Sequence, residues 1–193
     1  MTGPAYRLDM DRPDWAEASD LMRDYYDHEW GLPVRDTPGV YERIVLEGFQ
    51  SGLSWAVVLR KRPTFRAAFD GFDPEVVARY TEADVERLLS DEGIVRNRRK
   101  IEAAITNARA TAAMPDAGVD LAELVWSFRP DDPTRGADAA QSPESVALSK
   151  ALKKHGFVFV GPVTMFALMQ AIGILEHRVP GVAAAPADAQ VWA

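Results

Sequence analysis

Apolar residues recur at helical spacing through most of this chain, and the stretches between them carry helix caps; alternation with a period of two is nearly missing. Val40, Ile44 and Glu47 or Gly48 fall along one face of a segment running from about Pro38 to Gln50. Asp14, acting as a cap, predicts a helix over Asp14–Tyr26. Ser54 predicts a short helix over Trp55–Arg60, and Pro63 suits the first turn of a separate one over Thr64–Phe69. Asp73-Pro74 opens Glu75–Tyr80, because proline lacks only an N–H that the first turn leaves unused. Thr81-Glu82-Ala83-Asp84 has the form of a capping box ahead of Glu82–Leu89. Further helices are predicted over Ile101–Ala113, over Pro143–His155 with Gly156 as the stop, and over Val163–Leu175. Phe157-Val158-Phe159-Val160 is too short to carry a sheet. The expected class is therefore all-α. Its 193 residues contain no internal repeat, so we expect a single helical domain over 1–180, with room for two closely packed lobes, and a mobile tail over 181–193.

Composition removes several function classes. The chain has no cysteine, and His28, His155 and His177 stand far apart, so neither disulfides nor a usual zinc ligand set can be assembled from sequence patterns. Phosphate-binding glycine loops, GxSxG elbows and HExxH helices are all missing. No cofactor and no metal are expected. No apolar run approaches the roughly 18 residues of a membrane span, and the N-terminus does not read as a secretory signal. A monomer in the cytoplasm is the expectation. The net charge of -7 argues against coating nucleic acid by bulk charge, which makes local distribution decisive.

That distribution is uneven. Between Ile94 and Arg109 the charges are Arg96, Arg98, Arg99, Lys100 and Arg109 against Glu102. They follow a reversal at Gly93, which glycine permits. A helix N-terminus among basic side chains suits a phosphate backbone. The same pattern also fits an ordinary helical hairpin with a solvated basic face. A second basic run, Lys150 to His155, sits at a predicted helix C-terminus, where the dipole accounts for it. Tyr25, Tyr26, His28 and Trp30 cluster with Asp27 and Glu29, and three of the five tryptophans, Trp15, Trp30 and Trp55, lie in the first third of the chain. Such rings usually form core. They also suit a slot for a flipped base, where a cationic base adds attraction to the π faces. Glu47, on the apolar Val45–Trp55 stretch, is a carboxylate whose burial without a partner is costly.

Taken in order, Tyr25-x-Asp27-x-Glu29-Trp30-Gly31, Leu46-Glu47-Gly48-x-Gln50-x-Gly52-Leu53-Ser54-Trp55, Gly93-Ile94-x-Arg96, Lys100-Ile101, Asn107-Ala108-Arg109, Val125-Trp126-Ser127-Phe128, Leu148 to Lys154, Gly156-Phe157-x-Phe159-Val160-Gly161 and Met169-Gln170-Ala171 resemble the 3-methyladenine DNA glycosylase I family of base-excision repair enzymes. The resemblance covers about Trp15 to Gly181. It implies a helix-hairpin-helix glycosylase fold, double-stranded DNA carrying alkylated bases as partner, and release of 3-methyladenine. It implies that Glu47 hydrogen-bonds the base edge, that Tyr25 and Trp55 sandwich the base, and that Trp15 completes the pocket. Gly52 and Leu53 would enter the DNA stack, and Gly93, Val95, Arg96, Arg98 and Lys100 would meet the DNA backbone.

Two departures stand out. The family's structural zinc, held by two Cys and two His, falls here on Pro13, Tyr26, Arg178 and Val182, none of them a usual ligand; packing that involves Tyr26 is expected instead. Ala167 stands where the family can offer a hydroxyl near the base. The rival readings are a non-catalytic helix-hairpin-helix DNA-binding protein, a glycosylase with altered alkylbase preference, and an all-α protein for another planar ligand.

Overall fold

The computed structural model describes residues 12–179. Among them there are nine α-helices, three single-turn 3-10 segments and no strand. The helices are α1 (Asp20–His28), α2 (Thr37–Gln50), α3 (Trp55–Ala68), α4 (Pro74–Val77), α5 (Glu82–Ser90), α6 (Arg98–Ala113), α7 (Leu121–Trp126), α8 (Pro143–Lys154) and α9 (Pro162–Ala171). The chain is thus all-helical, as its periodicity requires. The expected tail lies outside the described residues.

α2 is the axis of the molecule. Every residue from Val40 to Phe49 is buried, and the helix touches α3, α6, α7 and α9. Val40, Ile44 and Leu46 belong to one apolar core that continues through Phe65, Ile101, Leu148 and Met165 to Leu175. Burial on all sides explains why α2 carries few polar residues, and it makes Glu42, Arg43 and Glu47 conspicuous.

The local signals were good guides to helix starts and poorer guides to continuity. α2 starts at Thr37, one residue before the expected start, and Asp36 caps it, accepting a hydrogen bond from the Gly39 amide at 2.7 Å. Thr81 and Asp84 form the expected capping box. The Asp14–Tyr26 helix is interrupted: a 3-10 turn ends at Ser19, whose extended backbone (φ -166°, ψ 165°) and side-chain oxygen start α1. The two helices expected around Pro63 are a single α3, with Pro63 inside it. The buried faces of Leu59, Arg62 and Phe65 keep the helix on one course across the missing N–H. α4 stops at Val77, and α9 stops at Ala171, where Ile172 leaves helical geometry ahead of Gly173 at φ +77°. α7 has no counterpart among the expected helices; only its Asp120 cap and two turns mark it.

The hairpin forms from α5 and α6, and α6 starts at Arg98 because Asn97 caps the Lys100 amide. The reason for Gly93 differs from the expectation. It is not among the glycines with positive φ. Instead, a Cβ there would stand 2.0 Å from Thr64 Cγ2 of α3, so glycine is needed for close packing of the hairpin on α3.

Candidate active site

A cavity of about 1030 Å³ opens between α1, the end of α2, the start of α3, α9 and residues 177–179. Glu47, Tyr25, Trp55 and Trp15, singled out from the sequence, all line it. Glu47 projects from the last turns of α2 and is 6 % exposed. Among the described residues none donates a hydrogen bond to its carboxyl. Burial pushes its pKa up to about 8, and the charge of Arg43 works against that rise. Tyr25 comes from the buried face of α1, and burial holds its phenol well above the usual range. Its ring centroid lies 5.5 Å from that of Trp55 at 46° between planes. The rings touch at a tilt rather than facing each other across an open slot, so a base entering between them must part them. The Trp55 indole N–H is buried without a hydrogen-bond partner among the described residues. Trp15 packs edge-on against Tyr26 and Trp30, with centroids at 5.5 and 5.3 Å.

Gly52 and Leu53 lie in the loop between α2 and α3. Gly52 has φ +79° with no atom within 4 Å of a Cβ placed there, and Leu53 is 40 % exposed. The left-handed turn at Gly52 therefore leaves a large aliphatic side chain at the surface beside the cavity mouth. The hairpin is tied to this loop: Lys100 Nζ donates to the carbonyls of Phe49 at 2.7 Å and Ser51 at 2.6 Å. Burial lowers the Lys100 pKa. Lys100 therefore caps the C-terminus of α2 and fixes the loop against α6. Arg98 is paired with Glu82, Glu86 and Glu102, which offsets its charge. Arg96 is half exposed and 3.6 Å from Glu92. Val95 packs against the core beside Gly93.

The cavity also holds residues not selected beforehand. Trp30, Gln50, Arg60, Gln170 and His177 line it, and His177 Nδ1 lies 2.9 Å from Gln170 Nε2. Ala167 lines it too, presenting a methyl group. Behind Glu47, Glu29, Glu42, Arg43, Arg62 and Arg66 form an ion network. The signal available in the sequence was the pair Glu42-Arg43 on an otherwise apolar helix, and it was overlooked.

The residues at the expected zinc positions do not suit a zinc ion. Val182 lies outside the described residues. Arg178 brings a cation, and its Nη1 donates to the carbonyls of Tyr26 at 2.6 Å and of Trp30. The guanidinium carbon sits 4.9 Å from the Tyr26 ring centre. The Tyr26 hydroxyl accepts from the Val179 amide at 2.9 Å. Gly31 makes room for this clamp: a Cβ there would stand 2.7 Å from Arg178 Cγ. No cluster of three or more His, Cys, Asp or Glu suited to a metal occurs among the described residues. No helix among them is long and apolar enough to cross a membrane.

Comparison with known proteins agrees with this geometry. The methyladenine glycosylase family model matches residues 15–184. The DNA-3-methyladenine glycosylase 1 of Escherichia coli (strain K12) is 44% identical over 185 residues, covering 93% of this chain and 99% of that protein. The DNA-3-methyladenine glycosylase of Haemophilus influenzae is 41% identical over 174 residues, covering 87% and 94%. A solved structure of 3-methyladenine DNA glycosylase I from Staphylococcus aureus, described as giving the structural basis of 3-methyladenine recognition, superposes with a TM-score of 0.79 at 31% identity, covering 85% of this chain and 90% of that one. By the family model and by relatives matched over nearly their whole length, the chain belongs to the methyladenine glycosylase family.

Proposed function

We propose that this protein is a DNA glycosylase that hydrolyses the N-glycosidic bond of 3-methyladenine in alkylated double-stranded DNA, as a monomer in the cytoplasm and without a cofactor. The observation that carries the reading is Glu47: a buried carboxyl on the wall of an open cavity, among aromatic rings, with no hydrogen bond from the described residues. Such a group is costly in a folded protein unless a partner arrives from outside.

A 3-alkylated adenine in DNA carries positive charge on its ring. Its glycosidic bond is already weakened, because the base leaves neutral when that bond breaks; water then adds at the sugar C1′ and gives up a proton to the solvent. Strong protonation of the leaving group is not required. The work is extraction and selection. Flipping costs a few kcal/mol, less for a damaged base. Stacking on Tyr25 and Trp55, with Trp15 completing the wall, offsets this by about 1–3 kcal/mol per base. Cationic adenine is favoured over neutral adenine by the π faces and by Glu47 once ionised. Leu53, carried on Gly52, fills the gap left in the duplex. Gly93, Val95, Arg96 and the α6 N-terminus approach the phosphates, with Arg98 contributing little because its charge is shared, and Lys100 holding the Leu53 loop in place.

The test is base release from methylated duplex DNA, with the released bases identified by chromatography. Liberation of 3-methyladenine by the purified protein is the expected result; a protein that binds such DNA in a salt-dependent way and releases no base would be a binding module instead. Ala167 leaves room beside the base, so the same assay run on other 3-alkyl adducts reads the breadth of selection.

The clamp of Arg178 on Tyr26 takes the part that a metal plays in anchoring the chain ends. Chelator treatment of the untagged protein is expected to leave its melting temperature unchanged, whereas Arg178→Ala, which frees two buried carbonyls, lowers it by about 4–8 °C. Elemental analysis finding one tightly bound zinc per chain would overturn this.

A further inference from the structure

The ion network behind Glu47 takes no part in the steps above, yet it is built with more care than a surface cluster. Arg62 is 3 % exposed, Glu42 6 % and Arg43 8 %. Arg43 Nη1 donates to Glu42 Oε2 at 2.9 Å, and its Nη2 to Glu29 Oε2 at 2.7 Å. Arg62 braces the same two carboxylates, from Nε to Glu42 Oε1 at 2.9 Å and from Nη1 to both oxygens of Glu29 at 2.7 and 2.6 Å. Burial raises the Glu42 pKa, but hydrogen bonds from Arg66 and Arg62 and the charges of Arg43 and Arg62 outweigh this and take it down to about 2, so Glu42 stays ionised. Three elements are thus locked together: the end of α1, the middle of α2 and α3.

Arg43 stands one helical turn before Glu47 on α2, which brings their Cβ atoms to about 5–6 Å. Glu47 lines the cavity, whereas the buried Arg43 reaches Glu42 and Glu29, which do not line it. With both terminal nitrogens committed to Glu42 and Glu29, Arg43 gives Glu47 a positive field and no hydrogen bond. A direct salt bridge would satisfy the carboxyl and remove its need for a ligand. The charged and titratable groups around the same cavity are Tyr25 from α1, Arg60 from α3, Asp138 from the loop before α8, and His177. The charge that bears on Glu47 is that of Arg43.

We propose that Arg43, clamped by Glu29 and Glu42, is a positioning residue for base release: it holds a fixed charge behind Glu47 that lets this carboxyl ionise toward an incoming cationic base while keeping its oxygens open. The proposal rests on the reading of the cavity as a base pocket, and its first test does not. In the full-length chain, the Glu47 carboxyl is followed by carbon-13 NMR against pH in the wild type, Arg43→Gln and Arg43→Lys. The neutral Gln is expected to raise the midpoint by about one pH unit, and the cationic Lys to keep it near wild type. The second test is the pH profile of 3-methyladenine release. Arg43→Gln is expected to lose about tenfold in kcat/KM at pH 7, with recovery toward wild type by pH 9. An unchanged carboxyl midpoint in folded Arg43→Gln overturns the proposal, as does a loss of activity equal at every pH. If the Gln chain does not fold, Arg43→Met, which keeps much of the stem and removes the charge, is titrated instead. There a raised midpoint supports the proposal and an unmoved one overturns it. A wild type that releases no base, with the carboxyl titrating as expected, would count against the proposed function and not against the role of Arg43.

Discussion

Glu47→Gln is expected to lower kcat/KM for 3-methyladenine release by about 10–100-fold while making the protein more stable. The loss follows from removing the charge: a hydrogen bond to an ionised group contributes about 1.5–3 kcal/mol, and each 1.36 kcal/mol is tenfold in rate. The gain in stability has a pH signature. The Glu47 pKa is raised from 4.5 to about 8, because burial disfavours the anion. A group whose pKa is raised on folding stabilises the native state fully below its unfolded value, and that stabilisation is lost as pH rises through the folded value. The wild type should therefore lose stability between pH 4.5 and about 8 relative to a chain with Gln at this position. Glutamine is neutral throughout, so the variant's advantage grows over this window and levels off above it, reaching on the order of a few kcal/mol. Urea unfolding at pH 5, 7 and 9 reads it directly. A gap that does not widen with pH would mean that Glu47 is solvated in the native protein, and the pocket reading would lose its basis.

Arg62→Met should have the largest effect on stability. The side chain is 3 % exposed and donates to both Glu29 and Glu42. Methionine has a similar stem and no charge, so it leaves the buried Glu42 and the partly buried Glu29 each short of a partner. Breaking a buried pair from one side typically costs about 3–5 kcal/mol. Arg43 and Arg66 still reach Glu42, which places the expected loss at the lower end, about 3 kcal/mol. The double change Arg62→Met, Glu29→Gln removes the charge of Glu29 while Glu42 keeps Arg43 and Arg66, and should recover part of the loss. Equilibrium denaturation of the three proteins decides it. No recovery in the double variant would mean that the cost lies in packing rather than in charge.

The two variants separate the functions of neighbouring buried charges. Glu47 is buried against the cavity without a hydrogen bond from the described residues, which supports the proposal that it is kept for binding. Glu29, Glu42, Arg43 and Arg62 pair with one another, with Arg62 Nη2 left buried and unbonded, and tie α1, α2 and α3 together, so that Tyr25, Glu47 and Trp55 meet at one wall.

Much of this was legible in the chain itself. Helix class follows from local periodicity and capping, which act over a few residues, so Asp73 and Thr81 could be located before any packing was known. The identity of the pocket residues was carried by ordered short blocks around Tyr25 and Glu47. What local patterns could not supply were properties that arise from elements far apart in sequence. Pro63 reads as a helix start, and only the core contacts of Leu59 and Phe65 keep α3 running through it. Gly93 reads as a flexible turn, and only Thr64, 29 positions earlier in the chain, reveals it as a point of close approach. Lys100 and Arg98 read alike as DNA-facing cations. Tertiary structure puts Lys100 on the Phe49 and Ser51 carbonyls and surrounds Arg98 with three carboxylates. Local sequence set the all-helical class, several of the helix starts and the chemistry available. The fold alone decided which charges are paired and which is left facing the cavity, because the free energy of a charge depends on its surroundings in space and not on its neighbours in the chain.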